Sequence, residues 1–288
     1  MDLLRAPYGV LKFGAEYTTE HTTYITKDGK VISPFHDIPA TEDGFKLVNV
    51  VNEIPRFTNA KKEINKELEY NPIKQDVKNG NVRFVKNMYP MKGYIWNYGA
   101  IPQTWESTEV ADTRTGIKGD NDPIDAIEIG DSIIPSGEVY KAKVLGAIAM
   151  IDGGECDWKI LVLNTEDEMF DKIHSLEDIE KYKPGLLEAT REWFRNYKIA
   201  DKPDNSGSKN EFANDEKYYT AKEAVEIIKE TNEHWNTLIK EKSHTGISLI
   251  NSTLADSLNY QPNEFTPSGQ PHKDADAPAE TSKFYYIK

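Results

Sequence analysis

Three carboxylates fall within six residues in the string Gly119-Asp120-Asn121-Asp122-Pro123-Ile124-Asp125, and two more follow as Asp152 and Asp157 in Asp152-Gly153-Gly154-Glu155-Cys156-Asp157-Trp158-Lys159. In both segments the acids stand where glycine and proline bend the chain, so they can converge at one end of a barrel instead of alternating along exposed faces. Like charges a few ångströms apart raise one another's pKa unless a cation lies between them. With a single cysteine, and no Cys₂His₂ or His₃ set in view, the donors are oxygens. Oxygen donors select hard cations, and Mg²⁺ takes one or two carboxylates while keeping sites for water and substrate phosphates. Short Asp-rich loops also occur as solvated turns or adventitious calcium sites. The Asp-x-Asp-x-x-Asp run by itself therefore leaves nuclease, phosphatase and nucleotidyl transferase chemistry open.

The elements that must position these acids are mostly strands. From about Lys46 to Leu163, short β-branched and aromatic runs such as Val82–Val85, Gly93–Tyr98 and Val139–Leu145 are punctuated by Gly, Pro, Asn and Asp. That spacing predicts a small antiparallel barrel or sandwich. The periodicity then turns helical. Leu186, Leu187, Thr190, Trp193, Phe194 and Tyr197 share one face behind Pro184, which suits a first-turn position. Thr220-Ala221-Lys222-Glu223 has the form of a capping box and precedes an apolar stripe through Ala224, Ile228, Trp235, Leu238 and Ile239. Asp201–Asp215 is expected to be a mobile surface loop. Residues 1–260 are expected to form one β-centred domain with flanking helices. The tail, 261–288, is expected to be weakly ordered or docked on the surface through Phe284–Ile287.

Composition sets limits. Of 288 residues, 38% are hydrophobic and 29% charged, with 15 Tyr, 10 Phe and 5 Trp, the profile of a soluble globular chain. Apolar runs such as Val144–Ile151 are far shorter than the roughly 20 residues that span a bilayer, and the first residues lack the pattern of a secretory or transit peptide. The expectation is a cytoplasmic protein with no membrane partner. A formal charge of -13 argues against a nucleic-acid binder, which needs a basic face. The single cysteine, Cys156, precludes an intrachain disulfide. It reads as a half-buried small hydrophobe. If it is exposed beside Asp157, slow, metal-protected inactivation by thiol alkylators is expected.

The string at 119–125 closely resembles the signature of family I soluble inorganic pyrophosphatases, Asp-[Ser/Gly/Asn]-Asp-Pro-[hydrophobic]-Asp. Matching contexts occur at Asn52–Arg56, Lys61–Ile64, Val82–Phe84, Tyr89–Tyr94, Tyr98–Glu106, Asp157–Lys159 and Tyr197–Lys198, over residues 7–260 or so. Length and helical additions resemble the fungal and animal branch. The resemblance implies a five-stranded OB-like barrel with flanking helices, a homodimer, and hydrolysis of pyrophosphate to two phosphates. It implies several Mg²⁺ ions per site, with Mn²⁺ as an alternative. Asp120, Asp125 and Asp157 would hold the activating metal. Asp152, Asp157 and Glu63 would hold metals arriving with substrate.

In this family pattern Asp122 is the general base toward a metal-bridging water, with Glu53 supporting the nucleophile side. Lys61, Arg83, Lys159 and Lys198 match the cationic substrate positions, Arg83 as a bidentate fork and the lysines as point charges. Tyr94, Tyr98 and Tyr197 match the phenolic donors. Direct in-line attack needs no phosphoenzyme and none of the six histidines. Trp105 and Trp158 are expected to pack beneath the site. Two alternatives differ in class. A catalytically inactive scaffold of the same fold would fail to release phosphate in Mg²⁺. An OB-type nucleic-acid module would need aromatic residues in a basic groove, and its binding would depend on salt.

Overall fold

The computed structural model describes residues 8–202, 206–262 and 265–287. Five strands form its centre: β1 (Val48–Ile54), β2 (Asn97–Ala100), β3 (Asp125–Glu128), β4 (Val139–Asp152) and β5 (Glu155–Asn164). β1 pairs with β2 and β4, β2 with β3, β3 with β5, and β5 with β4, so the ring closes. Closure removes the edges on which strands of other chains could pair. Four of the five pairings are antiparallel, as the sequence predicts, but β3 and β5 run parallel. The long β4 strand lies between them in sequence and carries the chain back across the ring.

β4 and β5 are joined by Gly153-Gly154, whose φ angles of 61° and 96° suit the two-residue turn of a hairpin. Ile160 and Val162 of β5 cluster with Ala224, Ile227 and Ile228, whereas Leu161 and Leu163 cluster with Leu187, Trp193 and Phe194. Both faces of that run are therefore covered, which explains an unbroken apolar stretch instead of alternation.

Three helices supply the covers: α1 (Leu176–Tyr182), α2 (Leu186–Asn196) and α3 (Ala221–Leu238). α3 begins with the full capping box of Thr220 and Glu223. α2 buries Leu187, Thr190, Trp193 and Phe194, but its N-cap is Gly185 with φ 83°, so Pro184 precedes the helix instead of opening its first turn. The run 93–98 is strand only from Asn97. Gly93 has a φ of 53°, and a Cβ there would lie 2.3 Å from the Thr58 carbonyl oxygen, so the chain turns at this point.

A second sheet joins Tyr8–Phe13, Thr22–Lys27, Lys30–Ile32, Lys62–Ile64 and Ile73–Gln75. Of the segment expected to be a mobile loop, residues 203–205 lie outside the described residues. Asn210 is buried, and its amide donates to Phe194 O at 3.0 Å. Beyond Gln261, Pro271 bridges Phe13, and Phe284–Tyr285 pairs in parallel with Asn87–Met88. No helix among the described residues is long and apolar enough to cross a membrane.

Candidate active site

β3 starts at Asp125, and the parallel register places it directly beside Lys159 of β5. Asp157 and Lys159 are two apart on β5 and so face the same way. Asp157 thus reaches the site from within a strand, not from the bend that precedes it. Lys159 is 2% exposed, and its ammonium contacts Asp125 Oδ2, Asp157 Oδ1 at 2.6 Å and the Tyr98 hydroxyl at 2.9 Å. The Tyr98 hydroxyl donates to the same Asp125 oxygen. Burial alone would favour a neutral Lys159 amine, but the two carboxylates hold it charged, well above the ordinary lysine range.

The Asp120–Asp122 loop is fixed from below. The Asp122 N–H donates to Asp120 Oδ1 at 3.0 Å, an Asx-type turn, and Asn121 accepts the Trp105 indole N–H at 3.0 Å. Backbone bonds tie the loop to Glu106: Asn121 N–H donates to Glu106 O and Glu106 N–H to Asp122 O. At Gly119 a Cβ would fall 2.4 Å from the Glu106 carbonyl carbon, so no side chain fits. Trp105 and Trp158 are buried beneath the site, as expected.

One cavity is lined by Glu53, Lys61, Glu63, Tyr94, Tyr98, Asp120, Asp122, Asp125, Asp152, Asp157, Lys159 and Tyr197. Of the positions singled out from sequence, Arg83 and Lys198 are not among its lining residues. Both are ion-paired with an acid: Arg83 with Asp76 at 2.5 Å, and Lys198 with Asp152. Asp76 also accepts from Lys61 at 3.2 Å, and Lys61 reaches Glu63 at 2.8 Å. Glu63 and Asp76 outweigh burial and hold Lys61 above its ordinary range. Glu53 is buried and accepts the Ile64 N–H at 2.7 Å; burial, then Asp125, pushes its carboxyl far up. Trp193 of α2 positions two phenols, packing 4.9 Å from Tyr94 and stacking 4.8 Å from Tyr197, while its indole donates to Gly93 O. Burial raises the phenols of Tyr94, Tyr98 and Tyr197, so all three stay protonated donors at neutral pH.

Three groups belong to this arrangement that the sequence did not single out: Asp76, Lys66 and Glu106. Lys66 pairs with Asp122 at 2.7 Å. The surrounding wall pushes the Asp122 carboxyl up, although 41% of the side chain meets solvent, and Lys66 offsets part of that rise. Glu106 ends the Tyr98–Glu106 string and is fully buried. Its Oε1 accepts the Trp158 N–H at 2.8 Å, and its Oε2 has no hydrogen-bond partner among the described residues.

Glu106, Asp120 and Asp157 each offer an oxygen, all within 4.8 Å of one another. Burial, and after it mutual repulsion, drives Glu106 and Asp120 far above the carboxylate range. Burial lifts Asp157 to about 7 even though Lys159 opposes the rise. Such a set is costly when ionised without a cation, and an oxygen-only donor set with an orphaned buried carboxylate oxygen fits a hard divalent ion. Cys156, by contrast, is 1% exposed, and burial pushes its thiol up to about 12. It is fully rather than half buried, so the exposure on which alkylation depends is missing.

Residues 50–236 match the family model for inorganic pyrophosphatase. An inorganic pyrophosphatase of Emericella nidulans is 47% identical over 285 residues, covering 97% of this chain and 98% of the relative. One from Encephalitozoon cuniculi is 53% identical over 254 residues, covering 88% of this chain and 90% of the relative. The chain belongs to the inorganic pyrophosphatase family. It is of the eukaryotic family I type and so a hydrolase. The family fold is matched over nearly the whole chain. The structure of the inorganic pyrophosphatase from Schistosoma japonicum superposes with a TM-score of 0.91 at 37% identity, covering 97% of this chain and 100% of that one.

Proposed function

We propose that the protein hydrolyses inorganic pyrophosphate to two phosphates with Mg²⁺ as its metal, and with Asp122 as general base. The buried set Glu106, Asp120 and Asp157, with an unpartnered oxygen on Glu106, carries this reading. Asp120, Asp125, Asp152, Asp157 and Glu63 would hold the ions, with Glu106 beside them, and Mn²⁺ suits the same oxygens. Bound there, Mg²⁺ supplies Lewis-acid charge to phosphoryl oxygens and lowers the pKa of water.

The remaining work falls to this chain's own side chains. Pyrophosphate brings several negative charges, and Lys61, Arg83, Lys159 and Lys198, each now paired with acids, can exchange those partners for phosphate oxygens. Arg83 offers a planar fork, and the lysines offer point charges. Water attacks one phosphorus in line; its oxygen forms the new P–O bond while the bridging P–O bond breaks. Asp122, half in solvent and held by a single ammonium, takes the water proton. Tyr94, Tyr98 and Tyr197 are neutral donors that can meet charge developing on the leaving phosphate. Glu53, buried beside Asp125, fixes the Ile64 backbone under the nucleophile side.

Phosphate release from pyrophosphate, titrated with Mg²⁺ and repeated with chelator, tests the proposal. Activity should require the metal, and no release in saturating Mg²⁺ would overturn the reading. A cytoplasmic homodimer belongs to the same proposal on the strength of the family resemblance; sedimentation velocity checks its stoichiometry.

A further inference from the structure

Away from the active site, Glu16, His21 and His272 meet where the C-terminal segment lies along the N-terminal arm. One carboxylate oxygen of Glu16 and one ring nitrogen from each histidine lie within 4.8 Å of one another. His21 is only 2% exposed, yet neither nitrogen has a short partner. Nδ1 has none among the described residues, and Nε2, the nitrogen that faces Glu16 Oε1 at 3.5 Å, has Thr23 Oγ1 at 3.4 Å beside it. A buried imidazole held this loosely can take a ligand at Nε2. Both His272 nitrogens face oxygens that only accept, Nδ1 3.2 Å from Gly14 O and Nε2 3.0 Å from Asp274 Oδ1, so one contact must be released for a lone pair to reach an ion. The contact that stays is the kind of outer partner that fixes the ring of a ligating histidine.

We propose that Glu16, His21 and His272 form a second metal site, for a borderline divalent cation of the Zn²⁺ type, that clasps the C-terminal segment to the N-terminal arm. Two imidazoles and one carboxylate, with a fourth position open to water, make a donor set that suits Zn²⁺ and not Mg²⁺. Tetrahedral bonds of about 2.0–2.1 Å place ligand atoms roughly 3.3 Å apart. The Glu16–His21 pair already stands at 3.5 Å, so closure requires His272 to approach from within 4.8 Å and to exchange one of its two oxygen contacts for the ion. Lys62 occupies the other Glu16 oxygen at 3.0 Å, whereas Oε1 faces His21 and has only the Lys12 ammonium, 3.9 Å off, to be displaced by an ion.

The ligands come from segments far apart in sequence but already stitched together by backbone. Gly14 N–H donates to Gln270 O at 2.8 Å, and Glu16 N–H to Lys273 O at 2.9 Å. An ion here therefore adds a cross-link between two chain segments.

The test uses the full chain, stripped with chelator and then titrated with Zn²⁺ by calorimetry in saturating Mg²⁺, which occupies the oxygen-donor sites. Wild type should bind one Zn²⁺ that His272→Ala and Glu16→Gln each weaken by at least about tenfold, the loss that even an outer partner of a metal ligand causes. Hydrolysis in Mg²⁺ alone should be unchanged in His272→Ala, showing that the variant folds. Zn²⁺ should slow hydrogen exchange at the Gly14 and Glu16 amides in wild type but not in His272→Ala. Equal Zn²⁺ stoichiometry and affinity in wild type and both variants would overturn the proposal, as would exchange at those amides that ignores Zn²⁺.

Discussion

Lys159→Met offers a direct measure of how the buried acids are balanced. The ammonium is 2% exposed and is the shared partner of Asp125 and Asp157, so methionine fills similar volume but leaves two carboxylates without that counter-charge in a low-dielectric wall. Breaking a buried pair by removing one partner typically costs about 3–5 kcal/mol. A domain of 288 residues unfolds with an entropy of roughly 0.6 kcal/mol/K, from about 2.1 cal/mol/K per residue, so the loss corresponds to a fall in Tm of about 5–8 °C.

Two conditions should shrink that fall. The orphaned acids would have folded-state pKa values raised above their unfolded ones. Their penalty is therefore fully present above the folded pKa and fades as pH drops toward the unfolded value, so Lys159→Met should lose less relative to wild type at pH 5.5 than at pH 7. Mg²⁺ supplies the missing positive charge, so saturating metal should restore at least half of the lost Tm. Calorimetric scans of both proteins at two pH values, with chelator and with Mg²⁺, provide the comparison. A Tm deficit that is the same under all four conditions would refute the electrostatic account and leave a packing defect in its place. Activity should be low throughout, since the same ammonium is a proposed substrate contact.

Further outcomes follow from the geometry. Asp122→Asn should fold and keep its Mg²⁺ requirement while turnover falls by about 10² to 10⁴, the usual cost of losing a general base; near-normal turnover across pH would remove that role. Lys66→Met takes away the ammonium that lowers the Asp122 carboxyl, so the acid limb of the kcat/KM profile should move to higher pH; an unmoved limb would separate Asp122 from that ionisation. Glu106→Gln keeps an acceptor for the Trp158 N–H but removes negative charge from the buried cluster, so the Mg²⁺ concentration for half-maximal activity should rise about tenfold or more. An unchanged metal titration would exclude Glu106 from the metal's surroundings.

Much of the frame is legible where a local rule acts alone. The capping box at Thr220 and Glu223 marks the start of α3, because both halves of the motif are three residues apart and need no tertiary partner. α1 has no such mark. Its seven residues bury only Ile179, so there is no apolar stripe to detect, and its N-cap Ser175 is one of many serines. The parallel β3–β5 pair is equally hidden. Short runs with β propensity announce strands but not direction, and direction here follows from a 14-residue strand crossing between them. Docking of the tail through Phe284–Ile287 is one of the two outcomes the sequence leaves open, but the partner is hidden, because a two-residue strand at Phe284–Tyr285 is defined only by the Asn87–Met88 segment it pairs with.

The site divides along the same line, between residue types and their pairings. Asp120, Asp122 and Asp125 declare themselves by the family signature they match, since their spacing alone also suits a solvated turn. What those acids are bound to is set by register and by distance in the chain. Asp125 meets Lys159 because two parallel strands place them side by side, and Asp122 meets Lys66 across more than fifty residues. Glu106 looks like an ordinary loop acid in sequence. It becomes part of the cluster only because Gly119 admits the Glu106 backbone to within a distance no side chain would permit. The glycine that heads the acidic string thus has a structural task distinct from the acids behind it: it lets a buried fourth carboxylate stand against Asp120 and Asp157. Any residue larger than glycine at 119 would force the Glu106 backbone away and with it the oxygen on which the proposed cation site depends.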